Sequence, residues 1–435
     1  MKRIILTFSF AFAGLFAADA QMRLTLGEAV DIALSENPTV KVADMEVERY
    51  DYVRRQTWGT LLPQLSASGS YSRSIVKSEM RGGISFGADN TFAVQGDLTL
   101  PLFAPAVYRT LKLNDTQRAA AVEAARASRI DLVAEVKKAF YNILLAEQSL
   151  VVLRESEATV RRTVDDTKLQ YDNGLASEYD LLTAEVQLSN LQPTILQTEN
   201  SIRLAKLMLK MYLSIPEEVD IEVEGELDAL REEVLAGTDG LSTDVSENSG
   251  LRTLELQQEL LQRQLRTANA GRLPSLAAFG TATYTGNDME PFMGLGGGDN
   301  AKYFWTHPIS IGLQLSVPIF AGLTKMNKAR EIRNQIAQIS LQRTYARRQV
   351  DVQVRSSLND LLTARETMYA QERTVEQARK AYHISDTRYR AGAGTILELN
   401  TAQLARTQAQ PNYSQAIYDY LTAKAEYDRI VGREK

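Results

Sequence analysis

The side chains that could do chemistry are few, and their spacing argues against catalysis. The chain has no cysteine and only two histidines, His307 and His383. Neither histidine has a cysteine or a carboxylate pair at metal-ligand spacing, and no G-x-x-x-x-G-K-[ST] or G-x-S-x-G motif occurs. Both read as ordinary surface residues, so we expect no enzyme activity, no cofactor and no metal. Without cysteine there is also no disulfide, no thiolate site and no lipid-anchor thiol. Lys plus Arg number 49 against 54 Asp plus Glu, a net charge of −5. The two signs are interspersed, which leaves no basic footprint for nucleic acid. The acids worth marking are Asp180 and Glu398, each three residues after a hydroxyl residue, in Ser177-x-x-Asp180 and Thr395-x-x-Glu398. That is capping-box spacing at the start of a helix, where an acid also complements the helix dipole.

These two boxes occupy the same place in a duplicated stretch. Tyr171–Pro193 (YDNGLASEYDLLTAEVQLSNLQP) and Tyr389–Pro411 (YRAGAGTILELNTAQLARTQAQP) align without a gap at an offset of 389 − 171 = 218. Tyr171/Tyr389, Gly174/Gly392, Leu181/Leu399 and Pro193/Pro411 are among the identities. Each copy predicts a long helix that ends, turns at a glycine and starts a returning helix. Ahead of each turn lies a proline-free run. From Ala106 to Gln170 there is neither proline nor glycine, enough for on the order of 95 Å of helix at about 1.5 Å per residue. Apolar or small residues recur along it at steps of three and four (Leu132, Val136, Ala139, Ile143, Ala146, Leu150, Leu153). The matching second-half series runs from Val350 through Val354 and Leu361 to Met368. This is a coiled-coil seam. Pro193 and Pro411 fall inside the returning helices, where each should bend its helix.

Two other stretches alternate with a period of two. Leu65, Ala67, Gly69 and Tyr71 alternate with serines, and Phe92, Val94, Gly96, Leu98 and Leu100 alternate with Ala93, Gln95, Asp97 and Thr99. In the second half, Leu276–Ala282 and Ile309–Val317 repeat the pattern, with glycine-rich loops at Arg81–Gly87 and Gly294–Gly298. Tyr303, Phe304 and Trp305 sit where an interfacial aromatic girdle would lie. A soluble antiparallel sheet with one solvated face fits the alternation alone. Four strands, however, leave two open edges and cannot close a membrane barrel, since the smallest have about eight strands. The chain must then associate with copies of itself.

The rest of the chain frames these elements. Residues 1–20 read as a secretory signal peptide ending in Ala18-Asp19-Ala20. No later apolar stretch could form a transmembrane helix. Residues 21–214 form a first structural repeat, opened by the capping box Thr25-Leu-Gly-Glu28. Its hairpin spans about 64–103, its long helix 106–171 and its returning helix 177–213. Residues 215–249, acidic and turn-rich, read as a lateral connecting subdomain. Residues 250–432 repeat the plan, with a hairpin at about 275–320, a long helix over 322–389 and a returning helix over 395–431.

This layout resembles the TolC-type outer-membrane efflux protein family over nearly the whole mature chain. The residues that carry it are LTLGEAVDIALSENP (24–38), LLPQLSASGSY before the first strand and the hairpin ends LTLPLF (98–103) and LSVPIF (315–320). The two tip motifs (171–184 and 389–402) complete it. The resemblance implies a mixed α/β membrane protein with an internal two-fold repeat. It further implies a homotrimer whose twelve strands, four per chain, form one outer-membrane barrel continuous with a long periplasmic α-helical coiled-coil barrel. It implies a passive exit duct in outer-membrane lipid, served by a periplasmic adaptor and an inner-membrane pump. By the same resemblance, Asp180 and Tyr389 match an inter-hairpin hydrogen-bonding pair and Glu398 a constricting acid. Gly174-Leu175-Ala176 and Gly392-Ala393-Gly394 match adaptor-docking turns. The chain departs from the family's gate at Gly394, where an arginine is usual, and at Thr401, where an aspartate is. Capping alone would account for the acids equally well, and the two roles can coexist. Glu398, tripled by symmetry, would make a negative constriction. The competing readings are a periplasmic coiled-coil adaptor and a scaffold without a channel.

Overall fold

A computed structural model describes residues 22–76, 78–80, 84–236, 241–288 and 303–434. The expected signal peptide and the Gly294–Gly298 loop lie outside the described residues. The chain forms two compact units. One comprises the leading residues to Lys41, Ser128–Val245 and Asp351 onward; the other comprises Val42–Ala127 and Ser246–Val350.

In chain order the elements are β1 (Met22–Leu24), α1 (Leu26–Glu36), α2 (Pro38–Gly59), β2 (Gln64–Arg73), β3 (Ser78–Met80), β4 (Ile84–Phe86) and β5 (Asn90–Phe103). There follow α3 (Pro105–Asp172), α4 (Glu178–Leu213), β6 (Ile221–Val223), α5 (Leu227–Ala236) and α6 (Ser249–Ala270). The second half ends with β7 (Ser275–Asn287), β8 (Phe304–Thr306), β9 (Ile309–Ser316), α7 (Thr324–Arg390) and α8 (Ile396–Val431). Among the described residues no helix is long and apolar enough to cross a membrane.

The sheet is antiparallel in the order β2-β5-β7, with β8 and β9 both on the far side of β7. Its register lines up the period-two pattern across strands. One row runs Leu65, Leu98, Gly280, Ile311 and the next Ala67, Gly96, Ala282, Ile309. The rows between them read Ser66, Asp97, Thr281, Ser310 and Ser68, Gln95, Thr283. Because side chains alternate across the pleat, the ribbon has one apolar and one polar face. Ile311 is 88% exposed and Leu65 80%, so among the described residues of a single chain nothing covers the apolar face at these positions. Two of the strand glycines, Gly286 and Gly312, make room for rings. A Cβ on Gly286 would lie 2.6 Å from the Trp305 ring, and one on Gly312 2.7 Å from Phe279.

Tyr71, Phe92, Tyr284, Tyr303 and Trp305 form a chain of ring contacts, with Tyr284 stacked on Trp305 at 4.9 Å between centroids. Of the three aromatics expected at an interfacial girdle, Tyr303 and Trp305 join this ring cluster and Phe304 does not. The register sets Phe304 opposite Asn287, one residue off the Gly286–Trp305 row, and so on the other face. The loop expected at Arg81–Gly87 carries β4, which pairs with β3; residues 81–83 lie outside the described residues.

The helical unit is held by a buried cluster that includes Phe140, Ile143, Leu209, Leu361, Met368, Ile417 and Tyr420. Each such side chain removed from water contributes about 1.5–3 kcal/mol. Buried positions Val354, Ser357, Leu361, Met368, Val375 and Ala378 follow the three-and-four spacing of the seam. At its edge β1 pairs in parallel with β6, which ties the start of the chain to the connecting segment. Helices α4 and α8 continue through Pro193 and Pro411.

Candidate functional site: the two tip hairpins

Each long helix ends at a glycine whose backbone only an achiral residue adopts easily. Gly174 has φ +73° and Gly392 φ +68°, the left-handed region that stops a helix. The bonds Leu175 N→Gln170 O (2.8 Å) and Ala393 N→Arg388 O (2.9 Å) close the two turns in the same way. Leu175 is 80% exposed at the first tip, and Leu397 is 72% exposed beside the second.

The boxes that open the returning helices then differ. At Ser177 the box is closed in both directions: the Ser177 side chain accepts from Asp180 N, and the Asp180 carboxylate accepts from Ser177 N and Oγ. Thr25 and Glu28 close a box the same way at the start of α1. At Thr395 only half of the box forms, Glu398 N donating to Thr395 Oγ1 at 3.2 Å. The Glu398 carboxylate instead faces Arg388 Nη1 at 3.5 Å, while Arg388 Nη2 donates to Ala393 O at 3.2 Å. Arg388 thus crosses its own turn. Both partners are about half exposed, so the pair contributes on the order of 0.2–1 kcal/mol and neutralises charge more than it fastens structure.

The expected Asp180–Tyr389 hydrogen bond is absent among the described residues. Asp180 is held by Ser177, whose backbone and hydroxyl both donate to the one carboxylate oxygen. Tyr389 sits partly buried at the end of α7, its backbone amide 3.2 Å from where a Gly394 Cβ would lie. Gly174, Leu175, Ala176, Gly392, Ala393 and Gly394 all lie in the two turns. Sequence reasoning missed Arg388. Its signal was the residue beside the shared tyrosine, where Gln170 is replaced by Arg388.

The tips also differ in charge. Residues 169–184 hold three acids and no base, or 0 − 3 = −3, whereas the matching residues 387–402 hold two bases and one acid, or 2 − 1 = +1. In the second hairpin Asp386 is occupied by Arg390 at 3.1 Å, which leaves Glu398 to Arg388. The long helices approach one another here, since Asp166 on α3 acts electrostatically on Arg390. Among the described residues no cluster of His, Cys, Asp or Glu could hold a metal ion.

Comparison with known proteins adds to this geometry. A family model described as outer membrane efflux protein matches residues 29–213 and 242–433. The chain is 25% identical to the alkaline protease secretion protein AprF of Pseudomonas aeruginosa, over 98% of this chain and 88% of that protein. It is 26% identical to the toluene efflux pump outer membrane protein TtgC of Pseudomonas putida, over 94% and 82% of the two chains. The fold is similar to that of the Campylobacter jejuni CmeC outer membrane channel, with a TM-score of 0.74 over 94% of this chain and 85% of that one at 17% identity.

Proposed function

The chain belongs to the outer membrane efflux protein family, and on that premise we propose that it is the exit duct of a tripartite efflux or secretion system. The observation that carries this reading is the ribbon with an uncovered apolar face, a polar face and two unpaired edges, β2 and β9, built into a chain with two long helical hairpins. In lipid every backbone polar group must be satisfied, so such a ribbon is stable only in a closed barrel. Three copies supply twelve strands, which closes the wall around a polar lumen. Similar proteins are named for the secretion of a protease and for the efflux of toluene, so both cargo classes suit a duct of this family.

The duct performs no chemical step of its own. An inner-membrane pump supplies energy and cargo, and a periplasmic adaptor joins it at the tips. There the turns Gly174-Leu175-Ala176 and Gly392-Ala393-Gly394 offer glycine backbone and the exposed Leu175 for docking. Glu398 and Tyr389 belong to the periplasmic gate, and Asp180 shapes it by fixing the first turn. The test is conductance. Purified from outer membranes and added to a planar bilayer, the protein is expected to give discrete channel steps. A protein that extracts without detergent and gives none ends this reading.

A further inference from the structure

We propose that Arg388 sets the charge of the duct's inner mouth by neutralising Glu398 within the second tip hairpin, and that Gly394 is what permits it. The inference rests on the duct reading and deepens it at the gate. Among the described residues, three Ser/Thr-x-x-acid boxes occur at helix starts. In two of them, at Thr25 and Ser177, the acid returns to the cap; in the third, Glu398 is drawn away to Arg388. Thr395 still caps the helix through its hydroxyl, so the carboxylate is released without loss of the helix start.

The turn between Arg388 and Glu398 packs closely on Arg388 at Gly394. A Cβ on Gly394 would lie 3.2 Å from Arg388 Cβ, 3.2 Å from Tyr389 N and 3.3 Å from Arg388 C. Two of those three neighbours are backbone atoms, so a side chain at 394 would need the end of α7 at Arg388 and Tyr389 to shift by a few tenths of an ångström, and Arg388 with it. The other nearby acid, Asp386, is held by Arg390. Arg388 also binds Ala393 O, so the guanidinium is positioned by the turn as well as by the carboxylate. A permeating ion at this mouth would meet Glu398 with its charge already offset, and the acids of the first tip would set whatever cation preference remains. Since the pair is half exposed, its effect is greatest at low ionic strength.

Full-length protein reconstituted in planar bilayers under a KCl gradient tests this through its reversal potential. Arg388→Ala is expected to raise the K⁺/Cl⁻ permeability ratio roughly sixfold at low salt, since one unit charge at about 8 Å in water shifts K⁺ and Cl⁻ each about 2.4-fold in opposite senses. Glu398→Gln should lower it, and R388A/E398Q should lie near wild type. Arg388→Lys, which keeps the charge, should leave the ratio close to wild type, and Gly394→Ala should move it the same way as R388A. Wild-type conductance with an unchanged ratio in both R388A and E398Q overturns the clamp but leaves the duct. Absence of any wild-type conductance overturns both.

Discussion

Asp180 and Glu398 occupy the same place in the two copies of the repeat, yet their carboxylates have different partners. Asp180 closes its cap, an arrangement whose loss typically costs about 1 kcal/mol of helix stability; Glu398 forms a screened pair worth less than that. Elsewhere in the helical unit a carboxylate is held far more firmly. Glu426 accepts from Arg429 Nη2 and Nε and from Lys138 Nζ at 2.9 Å, and Arg429 is shared with Asp131 at 3.2 Å. The hydrogen bonds from Arg429 hold the Glu426 carboxyl down at about 2, against the opposing effect of burial. A folded pKa below the unfolded value of 4.5 stabilises the fold fully above that value. The contribution is lost as pH falls from there through about 2. Thermal unfolding in detergent, followed by helical circular dichroism, should therefore lose stability across that window. Glu426→Gln should flatten part of the decline, and parallel slopes for the two proteins would show that the network does not carry it.

At the scale of elements, the strands and long helices were legible because each repeats one period for many residues. The alternation at Leu65–Tyr71 falls on β2 and that at Ile309–Val317 on β9 as far as Ser316, and Gly174 and Gly392 fall at positive φ. What was not legible depends on contacts distant in sequence. The three-residue β1 pairs with β6 about two hundred positions away, and no pattern within Met22–Leu24 announces it. The anchoring of α5 is another case. Tyr413 on α8 donates to Asp228 at 2.8 Å and accepts from Arg231 Nη1 at 2.6 Å, and that guanidinium also meets Glu372 on α7 at 3.3 Å. Burial, with the Asp228 hydrogen bond, pushes the Tyr413 hydroxyl well above its ordinary value, so it remains a donor at any physiological pH. Tyr413→Phe removes one partner each from the half-exposed Asp228 and from Arg231, which keeps Glu372, at a cost of about 1 kcal/mol. Because the loss is local to α5, amide exchange over Leu227–Ala236 should accelerate while exchange in α3 holds. If α5 keeps its protection, something other than Tyr413 secures it.

For the whole molecule, the deciding fact is that β2 and β9 each pair on one side only. Within one chain Ser66 on β2 and Ser310 on β9 are separated by β5 and β7, which at about 4.8 Å per strand step puts them roughly 14 Å apart, with Ser68 and Ser70 farther still. Cysteines with Cα atoms more than about 7 Å apart cannot be bridged without moving the backbone. A disulfide between these edges must therefore join two copies. The chain has no native cysteine, so the experiment has no competing thiol. Cysteine at Ser66, Ser68 or Ser70 combined with Ser310→Cys samples the registers open to the edge pair, since residues two apart share a face. Oxidised in the membrane, at least one combination should give a ladder on a denaturing gel that stops at three chain masses, while each single mutant stops at two or fewer. A ladder that ran past three would mean open-ended edge pairing, as in a fibre. The absence of any linked species across all combinations would mean that the two edges never meet, and a wall made of copies of this ribbon would then have to be abandoned.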